Sequence, residues 1–225
     1  MARKTPSRTG LSLDHIELTE KQKRYCEVMT DYKTKVVFLS GCAGSSKTYL
    51  AVYAALFLYN KDKRKNISYI RTLVETSDRT MGFLKGDQNA KFNEYLAPLG
   101  EKLDEMLTNA ESVKLKSNGV LSGFPINFVR GQDWKNRVAI FDEAQNADIN
   151  ALMLAMTRLN KGTTLFICGD SSQKDIKNSG FSQLSNLFDN EESRSNGIYN
   201  LKFDRSDIMR DPVVGFILDK VETIL

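Results

Sequence analysis

At 225 residues, with 41% hydrophobic and 27% charged residues, the chain has the composition of a globular domain and enough length to bury one core. A formal net charge of +4 permits nucleic-acid contact without requiring it. Cys26, Cys42 and Cys168 show no CxxC spacing and His15 has no histidine partner, which argues against a disulfide framework or a zinc site; with no 18-residue apolar run and no leader-like start, a cytoplasmic, non-membrane protein is expected.

In chain order, residues 1–14 are rich in Arg, Lys, Ser and Thr and read as a loose basic arm, with a single domain over 15–225. Thr19 to Tyr32 reads as a helix opened by a capping box between Thr19 and Gln22. Lys35–Ser40 is a buried strand, and Thr48–Tyr59 an Ala/Leu-rich helix. The cluster Lys61, Lys63, Arg64 and Lys65 is a solvated surface. Ile67–Ile70 is a second strand and Met81–Asp87 a loop. A helical pattern from Asn89 to Thr108 is interrupted near Pro98–Gly100. Strands are predicted at Ile126–Val129, Val138–Phe141, Thr163–Cys168 and Leu201–Phe203. Helices are predicted at Ile149–Arg158, Phe181–Phe188 and Pro212–Leu225, with a polar loop at Asp189–Asn196. Continuously apolar strands alternating with helices predict an α/β fold with a mostly parallel sheet and helices on both faces.

Gly41-Cys42-Ala43-Gly44-Ser45-Ser46-Lys47-Thr48 lies between a buried strand and a helix, where the phosphate-binding pattern GxxxxGK[ST] belongs. Backbone N–H groups and the helix N-terminus cradle phosphate oxygens there, Lys47 reaches the β/γ-phosphates, and the Thr48 hydroxyl ligates Mg²⁺. Ser46 replaces the glycine before the lysine. If that position needs positive φ, its Cβ costs roughly 1–2 kcal/mol; if it already lies in the first helical turn, the change is nearly free.

Val138–Phe141 delivers Asp142 and Glu143 at a strand end. Asp142 is placed to hold Mg²⁺ and Glu143 to orient and deprotonate an attacking water. Leu165–Cys168 ends in Gly169-Asp170-Ser171-Ser172-Gln173, and Gln173 is a candidate to contact the γ-phosphate or the attacking water and so sense hydrolysis. Without the first two motifs the Gly169–Gln173 run would read as an ordinary polar turn after a strand.

The order of GCAGSSKT, RTLVE (Arg71–Glu75), MGFLKGD, FVRG (Phe128–Gly131), FDEAQN (Phe141–Asn146), MTRL (Met156–Leu159), GDSSQKD and DIMRDPVV (Asp207–Val214) resembles the PhoH-like ATPases, over roughly residues 16 to 223. The resemblance implies a RecA-like P-loop NTPase domain related to superfamily 1 helicase motors, with ATP and Mg²⁺ as nucleotide and metal. It makes Gln22 an adenine reader, a role that competes or coexists with its capping box. It places Arg130 and Thr157–Arg158 near the nucleotide or a nucleic-acid path, and Arg71 in a region that contacts single strands in related helicases. Cys42 and Thr72 stand where proline is common in the family. Longer relatives carry a KH or PIN domain, for which this chain leaves no room, and so compact a version resembles those of bacteriophages, acting in a host cytoplasm.

Related motors place ATP between two such domains, the second supplying an arginine worth ~10³–10⁵ in kcat. A single domain therefore implies either a slow ATPase or a homo-oligomeric ring, plausibly a hexamer, with the arginine given in trans. Arg205 and Arg210 are the finger candidates and Arg158 the third; Arg210 reads equally as a surface cation. Two functions follow: ATP-driven remodelling of RNA or single-stranded DNA, or an ATP-dependent assembly switch acting on a protein. A small-molecule kinase is disfavoured because no arginine-rich lid segment is visible. Trp134 is the one aromatic candidate for stacking a base.

Overall fold

A computed structural model describes residues 10–72, 88–170 and 179–221, with side chains described outside 88–96. The chain order is α1 (Glu20–Thr30), β1 (Val36–Ser40), α2 (Lys47–Lys61), β2 (Asn66–Arg71), α3 (Gln88–Met106), α4 (Asn109–Ser117), β3 (Leu121–Pro125), β4 (Arg137–Phe141), α5 (Ile149–Met156), β5 (Thr164–Gly169), α6 (Phe181–Leu187), α7 (Glu191–Ser195), β6 (Ile198–Lys202) and α8 (Pro212–Val221). Short 3-10 turns occupy Ile126–Val129, Ala144–Asn146 and Arg205–Asp207.

The six strands form one sheet in the order β3-β2-β4-β5-β1-β6, with every pairing parallel. Alternate residues of each central strand feed opposite cores. Val37 and Leu39 of β1, Val138 and Ile140 of β4, and Phe166 and Cys168 of β5 pack with α1, α2, α3 and α4. Their neighbours Phe38, Ala139, Phe141, Leu165 and Ile167 pack with α5 and α6 on the other face. Burial on both faces is why these strands are continuously apolar. The sheet is therefore the α/β, parallel architecture with helices on both faces read from the sequence.

Its important topological detail is that β5 lies between β1 and β4. The loop after β1 and the acidic pair after β4 thus straddle the β5 tip at the carboxyl edge of the sheet, the edge at which open α/β folds bind ligands.

Four expectations are corrected. Ile126–Val129 is a 3-10 turn, and the strand lies just before it at Leu121–Pro125. β3 is an edge strand, which tolerates Gly123 inside it and Pro125 at its end. Helix α3 runs through Pro98 without the expected interruption, because Leu99, Leu103 and Met106 bury the turns beyond it. Helix α4, opened by a capping box between Thr108 and Glu111, was not expected. The polar run at Asp189–Asn196 contains the short helix α7, capped by the Asn190 side chain on Ser193 N.

The capping box of Thr19 and Gln22 is present at the start of α1. Trp134 is fully buried and donates its indole N–H to Gln132 Oε1 at 3.0 Å, so it packs and does not stack a base. No helix among the described residues is long and apolar enough to cross a membrane.

Candidate active site

The chain leaves β1 into Gly41–Ser46 and enters α2 at Lys47. Gly41 is obligatory on packing grounds: a Cβ there would meet Phe203 Cβ at 2.7 Å and Ser45 Oγ at 2.9 Å. Gly44 adopts φ 77°, and a Cβ there would press on Arg210 Cδ at 3.1 Å. Ser46 is the N-cap of α2 with φ 66°, ψ 12°, and its side chain makes no cap hydrogen bond. The strained alternative is thus the one adopted, with serine held in the left-handed region that favours glycine.

Within the loop, Lys47 Nζ donates to the carbonyls of Gly41 (2.6 Å) and Cys42 (2.7 Å). Ser45 Oγ donates to Cys42 O at 2.7 Å. The Thr48 hydroxyl donates to Asp142 Oδ1 at 2.8 Å, joining the first turn of α2 to the end of β4. The other oxygen, Asp142 Oδ2, accepts the phenolic hydrogen of Tyr69 on the neighbouring strand β2. Burial, and next the negative charge of Asp142, hold the Tyr69 phenol well above the ordinary tyrosine range, so it is a proton donor at all working pH. Burial raises the Cys168 thiol beneath the site in the same way, which leaves it an inert packing group.

Glu143 follows with φ 52°, ψ 38°, a left-handed conformation for a non-glycine residue of the kind found at functional sites. Its Oε2 accepts from Gln145 Nε2 at 2.5 Å, and its Oε1 lies 4.0 Å from the Arg71 guanidinium. Gln145 Oε1 in turn accepts from the Asp170 backbone N–H at 3.1 Å, tying the β4 and β5 tips together.

Together these groups line a cleft of about 630 Å³. The loop residues Ala43, Gly44, Ser45, Ser46, Lys47 and Thr48 form one wall; Asp142, Glu143, Gln145 and Asp170 form another. Gln22 reaches the same cleft from α1 while serving its cap, with Oε1 accepting from Thr19 N at 2.9 Å. Arg210 also lines it, next to Gly44, and the Met209 N–H donates to Gly44 O at 3.0 Å. Arg210 therefore sits at its own chain's loop. Arg205 pairs with Asp219 of α8 at 3.3 Å, and Gln173 lies outside the described residues.

The donor set fits Mg²⁺. A hydroxyl and a carboxylate oxygen converge beside the loop, and Mg²⁺ takes one or two such hard ligands and completes its shell with phosphates and water. Among the described residues no group of three or more His, Cys, Asp or Glu gathers as a self-sufficient metal cage.

A second cleft of about 770 Å³ has Asn146 of the Ala144–Asn146 turn in its lining. Thr72, Arg130, Asn146, Met153, Thr157 and Arg158 contribute to its walls.

The family model described as PhoH-like protein matches residues 16–222. The chain belongs to the PhoH-like family. It is 31% identical over 204 residues to the PhoH-like protein of Bacillus subtilis (strain 168), covering 89% of this chain and 62% of that protein. It is 32% identical over 201 residues to the PhoH-like protein of Mycobacterium tuberculosis (strain ATCC 25618 / H37Rv), covering 89% and 56%. Protein PhoH of Escherichia coli (strain K12) is 31% identical over 180 residues, covering 78% and 50%. The chain thus spans between half and a little over three-fifths of the length of these relatives. Among solved structures, the Pif1 helicase from Candida albicans superposes with a TM-score of 0.41 at 16% identity, covering 84% of this chain and 40% of that one.

The structure brings the loop, Asp142 and Glu143, singled out from the sequence, to one cleft, and adds Tyr69 and Gln145, which were not singled out. Tyr69 lies in a strand that sequence alone could not place beside β4. Gln145 had a signal, since it stands two residues beyond Glu143 in the FDEAQN run.

Proposed function

We propose that the protein is a Mg²⁺-dependent ATPase whose turnover is coupled to binding or remodelling of RNA or single-stranded DNA. The observation that carries this reading is the Thr48–Asp142 contact at the phosphate loop with Glu143 beside it. ATP enters the cleft with its phosphates on the loop and the N-terminus of α2, whose backbone dipole favours anions. Lys47, held over the loop by two carbonyls, is the cation available to the β- and γ-phosphates. Thr48 and Asp142 would hold Mg²⁺, which would supply charge neutralisation at the phosphate oxygens. Glu143 takes a proton from water as the water oxygen bonds to the γ-phosphorus. The bond from that phosphorus to the bridging oxygen breaks, and ADP leaves with the electron pair.

The coupling to a strand draws on the second cleft. Arg130 and Arg158 supply cations for a phosphate backbone, and the Ala144–Asn146 turn is common to both clefts. A second reading, an ATP-dependent assembly switch acting on a protein, is favoured by α8. That helix buries none of its residues, and Val213, Phe216 and Ile217 are exposed. A homo-oligomeric ring, a hexamer in this reading, with Arg205 or Arg158 offered in trans, belongs to either function.

Phosphate release measured with and without poly(U) RNA or a single-stranded oligodeoxynucleotide separates them. Stimulation by a strand is the expected result; strand-independent turnover favours the switch. Transfer of phosphate to an acceptor other than water contradicts both.

A further inference from the structure

Glu143 is 44% exposed on its side chain, and an exposed carboxylate on a flexible stem samples several rotamers. Its hydrogen-bond partner among the described residues is Gln145, and the Arg71 guanidinium lies 4.0 Å from the other carboxylate oxygen. Gln145 is 3% exposed, so its amide is immobilised by packing. The orientation of that amide is dictated chemically. The Asp170 backbone N–H can only donate, so the atom facing it at 3.1 Å is the carbonyl Oε1. The NH₂ end is thereby turned to Glu143 Oε2, at 2.5 Å, where it donates a charge-assisted hydrogen bond. The turn that carries Gln145 is anchored a second time, because Gly180 N donates to Ala147 O at 2.8 Å.

We propose that Gln145 is a positioning residue that aims the Glu143 carboxylate at the attacking water and makes that aim depend on the place of the β5 tip. This rests on Glu143 being the base of the hydrolysis proposed above. Gln145 does not touch the reacting atoms; it acts through Glu143. Any shift of the β5 tip moves the Asp170 N–H, and through the fixed amide it moves the carboxylate.

Two substitutions in the full chain test this. Gln145→Glu keeps the length and the acceptor for Asp170 N–H but presents an acceptor to Glu143 in place of a donor. Gln145→Ala removes both bonds. Each is expected to lower kcat for ATP about ten- to hundredfold, part of what general base catalysis supplies. KM for ATP and the calorimetric Kd for ADP stay within about threefold of wild type. The decisive readout is a double-mutant cycle. In a Glu143→Gln background, Gln145→Ala removes nothing further, since its route runs through Glu143. Wild-type kcat in both variants, an independent further loss in the double mutant, or a kcat loss matched by equal losses of nucleotide affinity would overturn the inference. A wild-type protein that releases no phosphate defeats the hydrolase reading itself, a different result from active wild type with fully active Gln145 variants.

Discussion

Thr48 and Asp142 are 94 residues apart in the chain and meet at 2.8 Å, hydroxyl to carboxylate, across the tip of an intervening strand. Tyr69 takes the other carboxylate oxygen, so Asp142 is fixed from both sides. Tyr69→Phe leaves that buried oxygen without its partner. The expected cost is about 1.5–3 kcal/mol of stability, read by chemical denaturation, because hydrogen bonds to charged groups are worth that much. Mg²⁺-dependent nucleotide affinity falls with it, while affinity measured in EDTA changes less.

Ser46 stands where the motif has glycine and adopts the left-handed conformation without a compensating cap bond. Relief of strain by Ser46→Gly is worth roughly 1–2 kcal/mol, offset by about 0.5–1 kcal/mol of extra unfolded-chain entropy. The variant is expected to be more stable than wild type by about 0.5–1 kcal/mol in urea denaturation. Ser46→Ala, which keeps the Cβ, brings no such gain.

How much of this was legible follows from what each element needs. β1, β4 and β5 are buried on both faces, so their apolar runs stand out in the sequence. β3 is not legible: Gly123 and Pro125 weaken its pattern, and the apolar residues that follow attract the prediction five places late. At the site, the loop and Asp142–Glu143 are local motifs and can be read directly. The Tyr69 and Gln145 contacts depend on β2 and β5 flanking β4, a pairing that spacing along the chain does not encode. Arg210 reads equally as a finger or a surface cation until the fold puts it beside Gly44.

Lys21 of α1 bonds both Asp204 (2.8 Å) and Asp207 (2.5 Å), latching the helix of Gln22 to the turn that leads to Arg210. Partial burial pulls the Lys21 ammonium down, but its two carboxylate bonds more than reverse this and raise it to about 12. Asp204 is lowered to about 2, first by Lys21 and then by Ser206. The lysine is raised, so its contribution is complete below an unfolded value of about 10.4 and fades as pH climbs toward 12. The aspartate is depressed, so its contribution is present above about 3.9 and fades as pH falls toward 2. Lys21→Ala is expected to lower the melting temperature across the neutral plateau, with the gap from wild type closing at both extremes.

Arg210 lines its own chain's cleft. Arg210→Ala is expected to lower turnover, and mixing it with Lys47→Ala protein should restore nothing, since each chain needs its own Arg210. Recovery of activity on mixing would instead make Arg210 a residue given to a neighbour.

Hydrolysis of ATP in this cleft with Glu143 as the base is tested most directly by Glu143→Gln measured in parallel with wild type. Phosphate release and ADP binding are followed for both proteins at the same Mg²⁺ concentration. Wild type is expected to release phosphate, while Glu143→Gln binds nucleotide with about the same Kd and turns over about 10²–10⁴-fold more slowly. Wild-type turnover in Glu143→Gln would contradict the role of Glu143 as the base.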